Sequence, residues 1–348
     1  MPYWAAGRLF LSGANPYSYN AIFALERAVG WPYSLPLMML CPPWELPVAA
    51  IYALVPYRDA RLGWLIISVL LDCLSCIALW NYFGGKRKRT WIPVAIFATF
   101  LPMATAEYVG QITPLVLAFI VVVLFFLRRK WYFAAGTMLI GFGLKPHLLY
   151  LVSLAVFLWA IQYRKWAILA GATISYIAAT VGAFLYNRHA FDYLHNTWGP
   201  AVQTLNGPGG LLRSIFGVQH VWLQFLPSVI GILWFVMYWP KNRNQWDWKT
   251  HFPLLLLVSL CSAPYVWYHD FLLAVPALIY IAVECDRRLP LLLPAWLLIQ
   301  CAILLSTSMS PALEATAGVL WIGFYFYALS SHAGKDLPAP VATASTAA

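Results

Sequence analysis

Apolar residues run along this chain in long blocks, at 62–83, 91–106, 112–127, 131–144, 147–163, 166–186, 221–239, 251–267, 270–284, 289–305 and 312–330. A helix that crosses a bilayer requires about 20 apolar residues, within a range of roughly 17 to 25. The blocks therefore predict an all-α polytopic membrane protein, a bundle of about eleven transmembrane helices. Several blocks are short. Pro93, Pro102, Pro146 and Pro276 are expected to kink or break them, which membrane helices tolerate where neighbours re-satisfy the backbone. A further apolar run at 36–57 is bracketed by Pro43 and Pro56. The residues between those prolines span roughly 18 Å as a helix, too short for a hydrocarbon core of about 30 Å. A juxtamembrane helix lying in the interface is the better expectation there.

Basic clusters punctuate the blocks at Lys86-Arg87-Lys88-Arg89, Arg128-Arg129-Lys130, Arg164-Lys165, Lys241 to Lys249 and Arg287-Arg288. Placing all of them in the cytoplasm gives a consistent up-and-down count, and Trp91, Trp131, Trp166 and Trp246 follow four of them as interfacial anchors. Arg8, Arg27, Arg58, Arg61, Lys145, Arg188 and Arg213 fall on the other side, against the positive-inside rule. The same parity puts residues 1–61 outside and makes 187–220 a long outer loop, with turn chemistry at Asn206-Gly207-Pro208-Gly209-Gly210. One integral-membrane domain over 1–331 is expected, followed by a disordered cytoplasmic tail over 332–348. A protein that starts outside has been translocated, yet the opening residues lack the basic-then-apolar order of a signal peptide. The chain reads as lacking a first transmembrane helix, either a fragment or a start assigned too late.

Composition narrows the class. Of the 348 residues, 62% are hydrophobic and only 10% charged, with a mean hydropathy of +0.71. A soluble domain is about a quarter charged, so a soluble enzyme, a disordered chain and a nucleic-acid module are excluded. The net charge of +10 then encodes orientation rather than polyanion binding. The six cysteines, with Cys73 and Cys76 inside one apolar block, read as packing residues rather than a disulfide framework or a zinc pair.

The outer mouth collects the remaining polar chemistry. It holds Asn15, Tyr17, Glu26, Arg27 and Glu45 from the first loop, Glu107 and Gln111 before 112–127, and Lys145 and His147 at a helix break. Arg188, His189, Asp192, His195 and Arg213 come from the long loop, and Tyr268, His269 and Asp270 from a later turn. Cations there match the oxygens of a phosphate, and carboxylates beside them can act as acid or base. Plainer readings stand alongside. Lys145 could snorkel from a helix end, Glu107 and Asp270 could cap helices, and Glu26 with Arg27 could be a solvated surface pair. His147, His189 and His195 have no metal-ligand spacing, and neither a metal nor another cofactor is called for. Asp72 lies inside 62–83 with no assigned role.

Five segments carry a resemblance. Tyr3-Trp4-Ala5-Ala6-Gly7-Arg8 with Gly13-Ala14-Asn15-Pro16-Tyr17 and Pro42-Pro43-Trp44 resembles the first outer loop of glycosyltransferase family 87. Gly110-Gln111-Ile112-Thr113-Pro114, Gly143-Leu144-Lys145-Pro146-His147, and Ala263-Pro264-Tyr265 with Tyr268 and Asp270 resemble its later outer segments, in order. The resemblance implies the GT-C fold and an inverting transferase. Such an enzyme moves a hexose, often mannose, from a polyprenyl-phosphate donor to a lipid or glycan acceptor on the outer face of a bacterial inner membrane. It implies a carboxylate base on the acceptor hydroxyl and cations on the departing phosphate. Lys145 and Arg213, then Arg188, are the expected phosphate ligands. Glu107 and Asp270 are the expected catalytic carboxylates. Asn15, Tyr17, Gln111, His147 and Tyr268 are the expected substrate contacts. The pattern's first-loop aspartate would precede Tyr3, where this chain begins, so Glu107 and Asp270 stand as substitutes by topology. Two other readings remain open: a transporter or flippase of a lipid-linked or small polar solute, and an inactive truncated transferase.

Overall fold

A computed structural model of the chain describes residues 1–38, 42–195, 205–285, 289–309 and 315–333. Among them the structure is helical, with no strand. The Arg287-Arg288 cluster, residues 196–204 of the expected long loop, and the tail from 334 lie outside the described residues.

The first part of the chain folds as short helices: α1 (Pro2–Leu11), α2 (Tyr19–Ala28) and α3 (Leu46–Tyr52). Among the described residues of the 36–57 run, the helical elements before α4 are short. Pro43 opens a single 3-10 turn, and α3 follows, burying Leu46 and Ala49 against α1. Glu26 departs from the surface-pair expectation. It is fully buried and accepts a hydrogen bond from the Leu37 amide at 2.9 Å, while Arg27 donates to the Trp31 carbonyl. The cause is helical spacing: Glu26 lies four residues after Ile22, so both occupy the buried face of α2. Burial pushes the Glu26 carboxyl above its ordinary range.

The apolar blocks form α4 (Tyr57–Phe83), α5 (Trp91–Thr99), α6 (Leu101–Val109), α7 (Thr113–Arg128), α8 (Tyr132–Met138), α9 (Tyr150–Gln162) and α10 (Trp166–Tyr186). They continue, past a connecting α11 (Gly207–Phe216), as α12 (Leu226–Asn242), α13 (Trp248–Cys261), α14 (Val275–Glu284), α15 (Leu289–Met309) and α16 (Ala315–Ala333). Among the described residues, α4 and α10 are long and apolar enough to cross a membrane, and a third crossing results if α5 and α6 count as one span bent by 55°. The bend falls at Phe100, just before Pro102, which has no amide to continue the ladder. Pro93 and Pro276 do not break their helices, because each sits in the first turn, where the missing N–H has no intrahelical partner.

Three of the blocks that are shorter as helices than as apolar runs free backbone beside the site. Block 131–144 tightens into 3-10 geometry over Leu139–Leu144. Block 251–267 stops as a helix at Cys261, and block 270–284 is entered through a 3-10 turn over Tyr268–Ala274. The Asn206–Gly210 stretch, expected as a turn, starts helix α11 instead. Gly209 packs where a Cβ would strike the backbone of Gln224, so its glycine serves a close approach.

Candidate functional site

Three connections between the apolar helices meet at one point. The first follows α6, which ends at Gly110 in the left-handed conformation (φ 74°), a backbone that favours glycine and turns Gln111 back toward the bundle. The second is Lys145–Leu149, between the 3-10 segment and α9. The third is Ser262–Ala274, between α13 and α14.

The Lys145 ammonium and the Asp270 carboxylate lie at the centre. Nζ donates to Asp270 Oδ1 at 2.5 Å, and the side chains are 10% and 1% exposed. Lys145 also donates to Gln111 Oε1 at 3.3 Å, and Thr113 donates its hydroxyl to Asp270 Oδ1. The other carboxylate oxygen, Oδ2, accepts from the Trp267 amide at 3.0 Å, which caps the start of the 3-10 turn. Asp270 is thus both a cap and an ion-pair partner. Burial would raise its carboxyl, but Lys145 and then His269 hold it below the usual carboxylate range. An ammonium has three donors, and two of Lys145's are engaged in these bonds.

Two imidazoles flank the pair. His147 stacks on Tyr265 with ring centroids 4.0 Å apart, and its Nε2 has no hydrogen-bond partner among the described residues. His269 Nε2 lies 3.7 Å from Asp270 Oδ1. Burial lowers His147 to about 3 and His269 to about 4, against a partial pull upward from Asp270. Both rings are therefore neutral at physiological pH. Tyr268 is buried in the same turn.

Arg213 reaches this turn indirectly. Its guanidinium donates to the Val218 carbonyl and, through Nη1, to Gln224 Oε1 at 3.0 Å. Gln224 in turn donates to the Pro264 carbonyl. Glu107 sits half-buried on the last turn of α6, four residues before Gln111, with Oε1 buried and without a hydrogen-bond partner among the described residues. It lies within electrostatic reach of Asp72 on α4.

The remaining expected residues form a second group. Asn15 donates to Asp192 Oδ2 at 2.7 Å and accepts from the Tyr17 amide, while Tyr17 is buried against Tyr193. His189 shares the same Asp192 oxygen at 2.9 Å, and Asn187 donates to the carbonyls of Phe10 and Ala14. These bonds tie the first loop to the segment after α10. Arg188 is exposed at the start of that segment.

Sequence reasoning did not single out Thr113, Tyr265 or Gln224 as functional side chains. Thr113 and Tyr265 stand inside the quoted segments, so the signal was present. Gln224 lies in an apolar stretch whose only flag is one amide among Val, Trp, Leu and Phe.

The sequence model of glycosyltransferase family 87 matches residues 40–311, the range that contains all three converging connections. No curated protein and no solved structure matches the chain.

Proposed function

Since the chain belongs to glycosyltransferase family 87, we propose that it transfers a hexose, mannose first among the sugars to test, from a polyprenyl-phosphate donor to a lipid or glycan acceptor. In this reading the chain is a multi-pass protein of a bacterial inner membrane, built as a GT-C bundle, and the site opens on the outer face. One observation carries the proposal. The segments around Gln111, Lys145 and Asp270, far apart in the chain, converge on a single buried ion pair.

Lys145 binds a phosphate oxygen of the donor with its remaining N–H, and Asp270, Thr113 and Gln111 fix where that ammonium points. Preorganised positive charge stabilises the monoester dianion as it departs. Arg213 adds long-range positive potential and braces the 263–270 turn through Gln224. Asp270 is a poor base, because its oxygens already accept three donors and its proton affinity is low. Glu107 is the better candidate. It takes the proton of the acceptor hydroxyl, the oxygen attacks the anomeric carbon, and the bond from that carbon to the phosphate oxygen breaks on the opposite face. The product is inverted, and polyprenyl phosphate leaves. His147, stacked on Tyr265, lines the sugar position with an imidazole that is neutral in the working pH range. Asn15, Tyr17 and Tyr268 shape the acceptor side.

The test is a transfer assay on purified protein in detergent, with radiolabelled polyprenyl-phosphate mannose and other polyprenyl-phosphate hexoses as donors and a membrane lipid extract as acceptor. Transfer by the wild type and its loss in Lys145→Ala are expected. Wild-type turnover in that variant would sink the phosphate role, and no transfer from any of these donors would overturn the donor class.

A further inference from the structure

A second feature lies away from the ion pair. The turn bearing Asp270 leads into α14, and Ile281 and Ala282 near the far end of that helix line a cavity of about 540 Å³. The lining on this helix begins at Leu278, eight residues on from Asp270, which puts the near edge of the cavity on the order of 12 Å away. Ala95 and Ile96 of α5 and Leu292 and Trp296 of α15 form its other walls. The lining is apolar except at two levels. Arg89, the charged residue of the lining, lies at one end, beside exposed Arg87 and Lys88. Thr99 lies at the other, where its carbonyl accepts from Gln300 at 2.7 Å.

The dimensions fit one kind of occupant. From Arg89 to Thr99 the wall extends about 15 Å at the helical rise, which is the hydrocarbon depth of one leaflet in a core of about 30 Å. Trp91, 65% exposed beside the mouth, marks the interfacial level. A basic cluster at that level is complementary to a phosphate, and an apolar shaft below it is complementary to an acyl chain. We propose that this cavity holds one acyl chain of an anionic phospholipid, with the lipid phosphate on Arg89 and the neighbouring Arg87 and Lys88. The inference rests on the chain lying in a membrane and not on the transfer chemistry.

The full chain, purified and delipidated in detergent, is titrated with dioleoyl phosphatidylglycerol and with dioleoyl phosphatidylcholine, and bound lipid is counted by native mass spectrometry. Saturable binding of about one phosphatidylglycerol is expected, with weaker binding of phosphatidylcholine. Arg89→Gln should weaken phosphatidylglycerol about fivefold, the effect of one surface cation on an anionic lipid. Ala282→Trp, which fills the shaft, should abolish the saturable component. Ala95→Phe replaces it if that variant does not elute as folded protein. Equal binding of the two lipids, or unchanged affinity in both the mouth and the shaft variants, would overturn the proposal. So would displacement of phosphatidylglycerol by one equivalent of polyprenyl phosphate, which would give the cavity to the donor.

Discussion

Asp270 and Asp72 are both fully buried, and they are buried in opposite ways. Asp270 is surrounded by donors: Lys145, Thr113 and the Trp267 amide occupy its oxygens. Asp72, on α4 beside Ser68, Ser75 and Cys76, has neither oxygen hydrogen-bonded among the described residues, and the half-buried Glu107 nearby has one oxygen in the same condition. A satisfied buried network rigidifies, and an unsatisfied buried polar group calls for a reason. In the mechanism we propose, the comparison divides the acidic groups between positioning at Asp270 and reactivity at Glu107, the one of the unsatisfied pair that borders the Gln111 connection.

Removing Lys145 attacks the satisfied side and has the largest expected effect. Lys145→Ala strands the Asp270 carboxylate, which costs about 3–5 kcal/mol of stability, and it lowers the transfer rate at least about a hundredfold. The double variant Lys145→Met, Asp270→Met should recover most of the melting temperature and none of the transfer. Recovery of both would reduce the pair to a packing element.

Glu107→Gln attacks the other side. It is expected to lower kcat about a hundredfold, the usual worth of a general base, with KM and the melting temperature near wild type. Asp270→Asn should instead lower the melting temperature. A large kcat loss in Asp270→Asn at unchanged stability, with Glu107→Gln fully active, would reverse the assignment.

Acid sharpens the comparison without mutation. An unfolded histidine titrates near 6.5, whereas His269 and His147 are held at about 4 and about 3. Between those values the unfolded chain binds more protons, so stability falls as pH drops below about 6.5. His269 alone contributes a loss of about 2 kcal/mol by pH 5. Asp270, whose folded carboxyl is depressed, keeps its contribution above about pH 4 and loses it only further down. The melting temperature should therefore decline from pH 7 to 5, and His269→Gln should flatten that decline. An unchanged slope in the variant would place the titration elsewhere.

Much of this arrangement is legible in the residue order. The 166–186 block and α10 share their bounds, and Gln111, Lys145 and Asp270 stand out as polar groups against apolar surroundings. The pairing is not legible. Periodicity reports which residues share a helix face, and nothing in it tells that residues 145 and 270 meet, so Asp270 reads as an isolated acid or a cap. Glu26 reads as a surface charge although its spacing from Ile22 carries the answer, because charge outweighs position in that reading. The glycines at 207–210 suggest a turn, whereas close packing against Gln224 is the use of Gly209. Apolar runs also overstate helices, since Ser262–Trp267 is apolar yet leaves α13 to form the site.

Arg213 and Arg188 give the smallest and finest contrast. Arg213 is 4% exposed, and its donors are engaged by Val218 and Gln224. Arg188 is exposed, and its position is set by the Asn187 bonds to the first loop rather than by its own side chain. Arg213→Ala should therefore act through structure, loosening the 263–270 turn via Gln224 at a cost of about 1–3 kcal/mol for the unmatched polar groups. Arg188→Ala should change stability by less than about 0.5 kcal/mol. Its effect on transfer separates two sites. A cation that only adds to the outer potential acts through a screened interaction, so its removal should change the rate little and the difference should vanish in high salt. A loss in Arg188→Ala as large as that in Lys145→Ala, and insensitive to salt, would mean that the donor phosphate sits against the segment after α10, and the Lys145–Asp270 pair would then be only a brace.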